Sequence, residues 1–163
     1  MVGHVVIHYE RTFPHPLAQA YAWLTDYQDD DPARTTHVVK KRPVISRTKD
    51  VVVLEGEIEV LGQRAKGRAE VHLFPPDRWE ARFQRRDGSP GSLYRYRLEP
   101  LGDQACRLVV DYGLAARKPA TRLKLRLLKP LARREIHRMW EGFAASMARE
   151  LAAPEAPAQR TTR

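Results

Sequence analysis

Cysteine is almost missing from this 163-residue chain: Cys106 stands alone. A disulfide within the chain is therefore excluded, and a cysteine-built zinc site nearly so. Asparagine is absent altogether. Because Asn is thermolabile, its absence fits a thermophilic or compositionally biased origin. No apolar run approaches the ~18 residues that a membrane-spanning helix requires. The opening residues Met1, Val2, Gly3 and His4 carry neither a basic nor a long apolar stretch. They do not read as a secretory leader, and a cytoplasmic location is the expectation. No G-x-G-x-x-G, Walker A, G-x-S-x-G or H-E-x-x-H pattern occurs, so no cofactor and no metal is expected.

What is present describes one folded domain. Hydrophobic residues make up 42% and charged residues 30%, a balance that excludes wholesale disorder. The expected limits are a single domain over 1–153 and a disordered tail over 154–163, where Pro154 and Pro157 interrupt a stretch without apolar pattern. The formal charge is +9, and one segment supplies nearly all of it. Residues 117–138 hold Arg117, Lys118, Arg122, Lys124, Arg126, Lys129, Arg133, Arg134 and Arg138 against Glu135 alone, a net of +8. Such a patch reads either as a solvated helix face or as a contact for an anionic partner. Leucines alternate with the cations, which suits an anionic membrane surface, where each basic residue is worth ~1 kcal/mol. Aromatic residues for base stacking are lacking there, so nucleic acid is less favoured.

Along the chain, period-2 alternation dominates up to residue 116. Val5, Ile7, Tyr9 and Phe13 share one parity, which predicts a strand over 4–13. Pro14 and Pro16 end it, and Leu17, Ala20, Tyr21 and Leu24 form the apolar stripe of a helix over 17–27. Asp31 before Pro32 predicts a short second helix over 32–35. Asp29, Asp30, Asp31 and His37 could form a hard-metal site, although capping explains the aspartates better. About six strands follow, separated by turns at Leu61-Gly62-Gln63, Pro75-Pro76-Asp77, 87–91 and 100–103. The first of them, 37–47, is broken by Pro43 and reads as an edge strand or a bulge. Beyond Pro119 the period changes. Ile136, Met139, Trp140, Phe143, Met147 and Leu151 recur at spacings of three and four, which predicts an amphipathic helix of about 20 residues beginning near Pro130. The stretch 122–129 before it reads equally as helical lead-in or as extended chain. Strands followed by a long helix mean an α+β fold, with a twisted antiparallel sheet of about seven strands around the last helix.

This order resembles the START-like, or SRPBCC, helix-grip superfamily. Its members include lipid-transfer START domains, plant pathogenesis-related allergens, polyketide cyclases and aromatases, and coenzyme Q-binding proteins. The resemblance covers roughly 4–152. It is carried by Phe13-Pro14-His15-Pro16-Leu17, which is similar to the superfamily's entry into the first helix. Ala22-Trp23-Leu24-Thr25-Asp26-Tyr27 is similar to its Val–Trp–x–x–Leu–x–Asp signature, and Met139-Trp140-Glu141-Gly142-Phe143 to its closing helix. The stretch 26–36 lacks the Tyr–Pro–x–Phe–x–Pro run of coenzyme Q-binding members. The resemblance implies a cavity between the concave sheet face and the last helix, holding an apolar small molecule or lipid.

Parity names the residues that face this interior: Val52, Leu54, Ile58, Ala69, Val71, Trp79, Phe83, Tyr94, Tyr96, Leu108, Val110 and Tyr112 from the strands, and Met139, Trp140, Phe143 and Met147 from the helix. Plain core packing would place them the same way. Two features favour a hollow. Ala65, Gly67 and Ala69 are small, and the tyrosines together with Arg85 bring a few polar tips into an apolar lining. Arg85 is the candidate for an anionic ligand group. Cys106 falls in strand periodicity and reads as a packed core thiol. The expectation is thus a non-enzymatic binder or carrier of a hydrophobic molecule or lipid, docking at the membrane through its basic segment. A cyclase- or dehydratase-like enzyme using the same cavity, and a basic module for nucleic acid or an acidic protein, are the alternatives.

Overall fold

The computed structural model describes residues 3–27, 39–60, 63–89 and 91–152. The expected helix over 32–35, the tail over 154–163, and Asp29, Asp30, Asp31 and His37 lie outside them, as does the side chain of Ile58. In chain order the elements are β1 (Gly3–Phe13), α1 (Leu17–Leu24), β2 (Val39–Lys41), β3 (Val44–Arg47), β4 (Val51–Val60), β5 (Gln63–Phe74), β6 (Arg78–Arg85), β7 (Ser92–Pro100), β8 (Cys106–Ala116), α2 (Pro119–Leu127) and α3 (Lys129–Ala152).

All strands join one antiparallel sheet in the order β1-β8-β7-β6-β5-β4-β2, with β3 also on β4. Strands β4 to β8 run as a meander, and β1 returns to flank β8 in register from Gly3 opposite Ala116 to Phe13 opposite Cys106. The expected edge strand is present as two pieces. β2 lies opposite Ile58 and Glu57, β3 opposite Leu54 to Val52, and Arg42-Pro43 separates them. Proline has no N–H for the ladder, so the break falls at an edge, where it costs least.

Register stacks the inward residues in rows. Ile7, Tyr112, Tyr94, Ala81, Val71 and Val52 succeed one another across the sheet. A parallel row runs Tyr9, Val110, Tyr96, Trp79 and Leu73. Against these rows lies α3, which buries Ala132, Met139, Trp140, Phe143, Ser146 and Met147. Each large apolar side chain so buried contributes about 1.5–3 kcal/mol. Trp140 sits at the centre: its ring is stacked on Tyr9 and edge-on to Phe13 and Tyr96. At one end, Trp23 Nε1 of α1 donates to Glu150 of α3 at 2.8 Å. On β1, Arg11 occupies an inward-parity position and pairs with Glu141 of α3, fastening the helix to the sheet's first strand.

The stretch that the sequence left ambiguous is helical. Pro119 takes the first position of α2, where its missing N–H is no loss. Pro130 has no N–H to offer Arg126 and crowds that carbonyl, which divides α2 from α3. The bonds from Leu128 N–H to the Lys124 carbonyl (3.0 Å) and from Ala132 N–H to the Leu128 carbonyl (2.9 Å) carry the helical path across the elbow. Among the described residues, no helix is long and apolar enough to cross a membrane.

On the outer face, His8 of β1 lies between Glu10 and Asp111 of β8, each at 2.9 Å from one ring nitrogen. Both carboxylates only accept, so both ring nitrogens donate best as imidazolium, and the His8 pKa is raised above 6.5, first by Glu10 and then by Asp111. A raised folded-state value stabilises fully below the unfolded pKa, and that contribution disappears as pH climbs through the folded one. The urea midpoint of His8→Gln should accordingly lie below the parent's near pH ~5 and rejoin it near pH ~9. The gap should be small, because the site is half exposed.

Candidate functional site

Between the rows of the concave face and α3 lies a partly open cavity of about 190 Å³. Its walls are mostly apolar. Strands β4 to β7 give Leu54, Ala69, Val71, Trp79, Ala81, Phe83, Tyr94 and Tyr96, and β1 and β8 add Ile7, Tyr112 and Leu114. The helix α3 closes it with Ala132, Glu135, Ile136, Met139, Trp140 and Phe143. Trp23, Leu24, Tyr27 and Arg42 complete the rim.

The rings are ordered against each other. Trp79 and Tyr96 stack with centroids 4.9 Å apart and planes within 4°. Tyr94 meets Tyr112 edge-on at 5.2 Å. Trp140 Nε1 donates to the Tyr112 hydroxyl at 2.7 Å, which fills the acceptor side of that oxygen and leaves its O–H as a donor. Among the described residues no group hydrogen-bonds to the Tyr96 hydroxyl, which belongs to the cavity wall. Burial pushes the phenols of Tyr94, Tyr96 and Tyr112 upward, so all three stay protonated through the physiological range. They meet a guest as neutral hydroxyls.

The charged members are Arg42 and Glu135. The Arg42 guanidinium lies over the Tyr27 ring at 5.0 Å, and its charge opposes the upward shift at Tyr96. Tyr27 itself has φ +45°, the left-handed region that a bulky side chain adopts only under constraint. Arg47 supplies the constraint, its Nη2 donating to the carbonyls of Asp26 and Tyr27. Glu135 is held by Arg138, one turn along α3, at 3.2 Å.

Of the residues expected inside, Leu54, Val71, Trp79, Phe83, Tyr94, Tyr96, Tyr112, Met139, Trp140 and Phe143 do line the cavity. Leu108 and Met147 do not: both are fully buried in packed core away from it. Arg85 is a further correction. It ends β6, and its guanidinium turns to Asp87 in the hairpin, with Nη2–Oδ2 at 2.9 Å. Arg85, helped by the Ser89 N–H, holds the Asp87 carboxyl at about 2. The strand stops at residue 85, so parity no longer aims that side chain inward. Gly67 is not open space either: an added Cβ would lie 2.7 Å from Phe83 Cζ.

Sequence reading missed Arg42, Tyr27 and Glu135. Arg42 precedes the proline that breaks the edge strand, and that break was the one available signal. Among the described residues there is no group of three or more His, Cys, Asp or Glu placed to hold a metal.

No protein-family model matches the sequence, and no curated protein matches it at a significant level. Solved structures do match its shape. The ZhuI aromatase/cyclase of Streptomyces sp. R1128 superposes with a TM-score of 0.74 at 12% identity, over 94% of this chain and 98% of that one. A Thermus thermophilus protein gives 0.71 at 17% identity, over 90% and 99% of the two chains. A START superfamily protein of Mycobacterium smegmatis gives 0.67 at 16% identity, over 91% and 99%. The chain thus has the START-like helix-grip fold. At these identities the likeness establishes the fold and leaves function to the site.

Proposed function

We propose that the protein binds a small, flat hydrophobic molecule bearing an acceptor oxygen in the cavity between sheet and α3. One observation carries this reading: an aromatic-walled apolar hollow whose protonated phenols, Tyr96 and Tyr112, offer donors. Apolar walls supply affinity at ~25 cal/mol per Å² removed from water, and the few polar tips set orientation. Size favours a ring compound. The volume of about 190 Å³ exceeds the ~150 Å³ void that takes benzene and falls short of the ~300 Å³ at which drug-sized sites begin. A long-chain lipid would have to widen it.

The test is a titration with a naphthol, read through the fluorescence of Trp23, Trp79 and Trp140, all in the wall. Saturable binding is expected. Ala69→Leu places a larger side chain in the cavity, and should weaken binding about tenfold or more without lowering the thermal midpoint. Equal binding by parent and variant would end the proposal. Native mass spectrometry of freshly purified protein adds the natural guest. A binder returns it with unchanged mass, whereas the cyclase-like alternative requires a chemical change.

A further inference from the structure

The helical elbow formed by α2 and the start of α3 is an unusual piece of this surface. No residue of α2 is buried. Leu123, Leu127 and Leu131 are 59%, 72% and 51% exposed and follow one another at intervals of four. The hydrogen bonds across Leu128 keep the helical path continuous, so the three leucines form one outward stripe. Arg122 and Leu125, which are half-buried, mark the opposite side, turned to the body of the protein. Lys124 and Arg126 flank the leucines on α2, and Arg133 and Arg134 continue the charge on α3.

Charge on the sheet is arranged differently. There Arg64, Arg95, Arg97 and Arg107 each meet a glutamate, and Arg68 and Arg82 alone stand without an ion pair among the described residues. On the elbow Glu135 is the only acid, and among the described residues Arg138 is its partner. Lys124, Arg126, Arg133 and Arg134 form no ion pair among the described residues. Apart from Arg122, which is turned to the body, most of the positive charge of 117–138 is therefore presented to the outside without internal neutralisation. A solvated helix does not need a leucine stripe at its outward pole, and a nucleic-acid contact does not either. Apolar side chains at the centre with cations along the flanks match a bilayer whose headgroups are anionic.

We infer that the α2–α3 elbow docks on an anionic membrane, with Leu123, Leu127 and Leu131 entering the interface and the flanking cations held by lipid phosphates. Leu131 of the elbow stands beside Ala132 on α3, and Ala132 and Ile136 line the cavity. Docking thus brings the cavity-lining start of α3 to the bilayer side of the molecule. The inference stands without the ligand reading, since neither the charge nor the leucine stripe depends on the cavity's contents.

Flotation of the full chain with vesicles tests it, using phosphatidylcholine alone and phosphatidylcholine with about one third phosphatidylglycerol. Binding is expected only to the anionic vesicles, and should fall about tenfold or more between low salt and about 0.5 M salt. Leu123→Ser with Leu127→Ser should lose about tenfold while keeping the parent's circular dichroism, because both leucines are exposed. Lys124→Glu with Arg126→Glu should lose at least as much. Equal binding to neutral and anionic vesicles overturns the inference, and so does a leucine variant that binds like the parent. Binding to duplex DNA that survives both leucine changes, with no vesicle binding, overturns it in favour of nucleic acid.

Discussion

Trp79→Ala should lower the free energy of unfolding by about 3–5 kcal/mol, the range for removing a large aromatic side chain from a core. Trp79 is 2% exposed. It stacks on Tyr96 and meets the Tyr21 ring of α1 edge-on at 5.7 Å, so one side chain joins the sheet, the first helix and the cavity wall. The void left behind would merge with the existing cavity, and a wall already open on one side has little means of collapsing to fill it. The upper half of the range is therefore expected. Trp79→Phe keeps part of the stack and should cost roughly half as much or less. Urea unfolding of the three proteins decides this. A loss below about 1 kcal/mol for the alanine variant would mean that the stack is not under the packing constraint described.

The second large effect concerns backbone. Gly67 on β5 lies opposite Gly56 on β4 and Arg85 on β6. A Cβ at position 67 would stand 2.2 Å from the Gln84 carbonyl oxygen and 2.7 Å from Phe83 Cζ. The phenyl tip can turn away, but the carbonyl belongs to a paired strand and cannot. Gly67→Ala should therefore exceed the ~1–3 kcal/mol usual for overpacking, although it adds a single carbon. Gly88→Ala is the contrast: nothing lies near its Cβ, and only its φ of +71° is disfavoured. Its cost should stay near ~1 kcal/mol. Thermal unfolding of both variants would separate crowding from conformation. Similar midpoints would show that β6 yields to the added carbon.

These sites also show how far the sequence could be read. Strand parity placed Trp79, Tyr94, Tyr96 and Tyr112 on the inner face, because a period of two leaves no choice once the turns are known. The stripe from Ile136 to Met147 announced the gripped helix for a similar reason. Parity does not say whether an inward side chain meets another or meets a void. Leu108 and Met147 therefore looked the same as Leu54 and Met139, although the first two are packed in the core and the last two line the cavity. Arg42 and Arg85 show a second limit. Both sit where a strand stops, and beyond that point alternation no longer fixes direction. Tyr27 owes its place in the rim to a left-handed backbone held by a distant arginine, which no local pattern encodes.

The pairing of β1 with β8 bears on how the molecule comes into being. The opening strand finds its neighbour only after about a hundred further residues have been made, so a growing chain carries Val5, Ile7, Tyr9 and Phe13 without a mate for most of synthesis. Closing so long a loop is slow compared with the meander hairpins. The hairpins from β4 to β8 should therefore assemble early, and the outermost seam of the sheet should be sewn last.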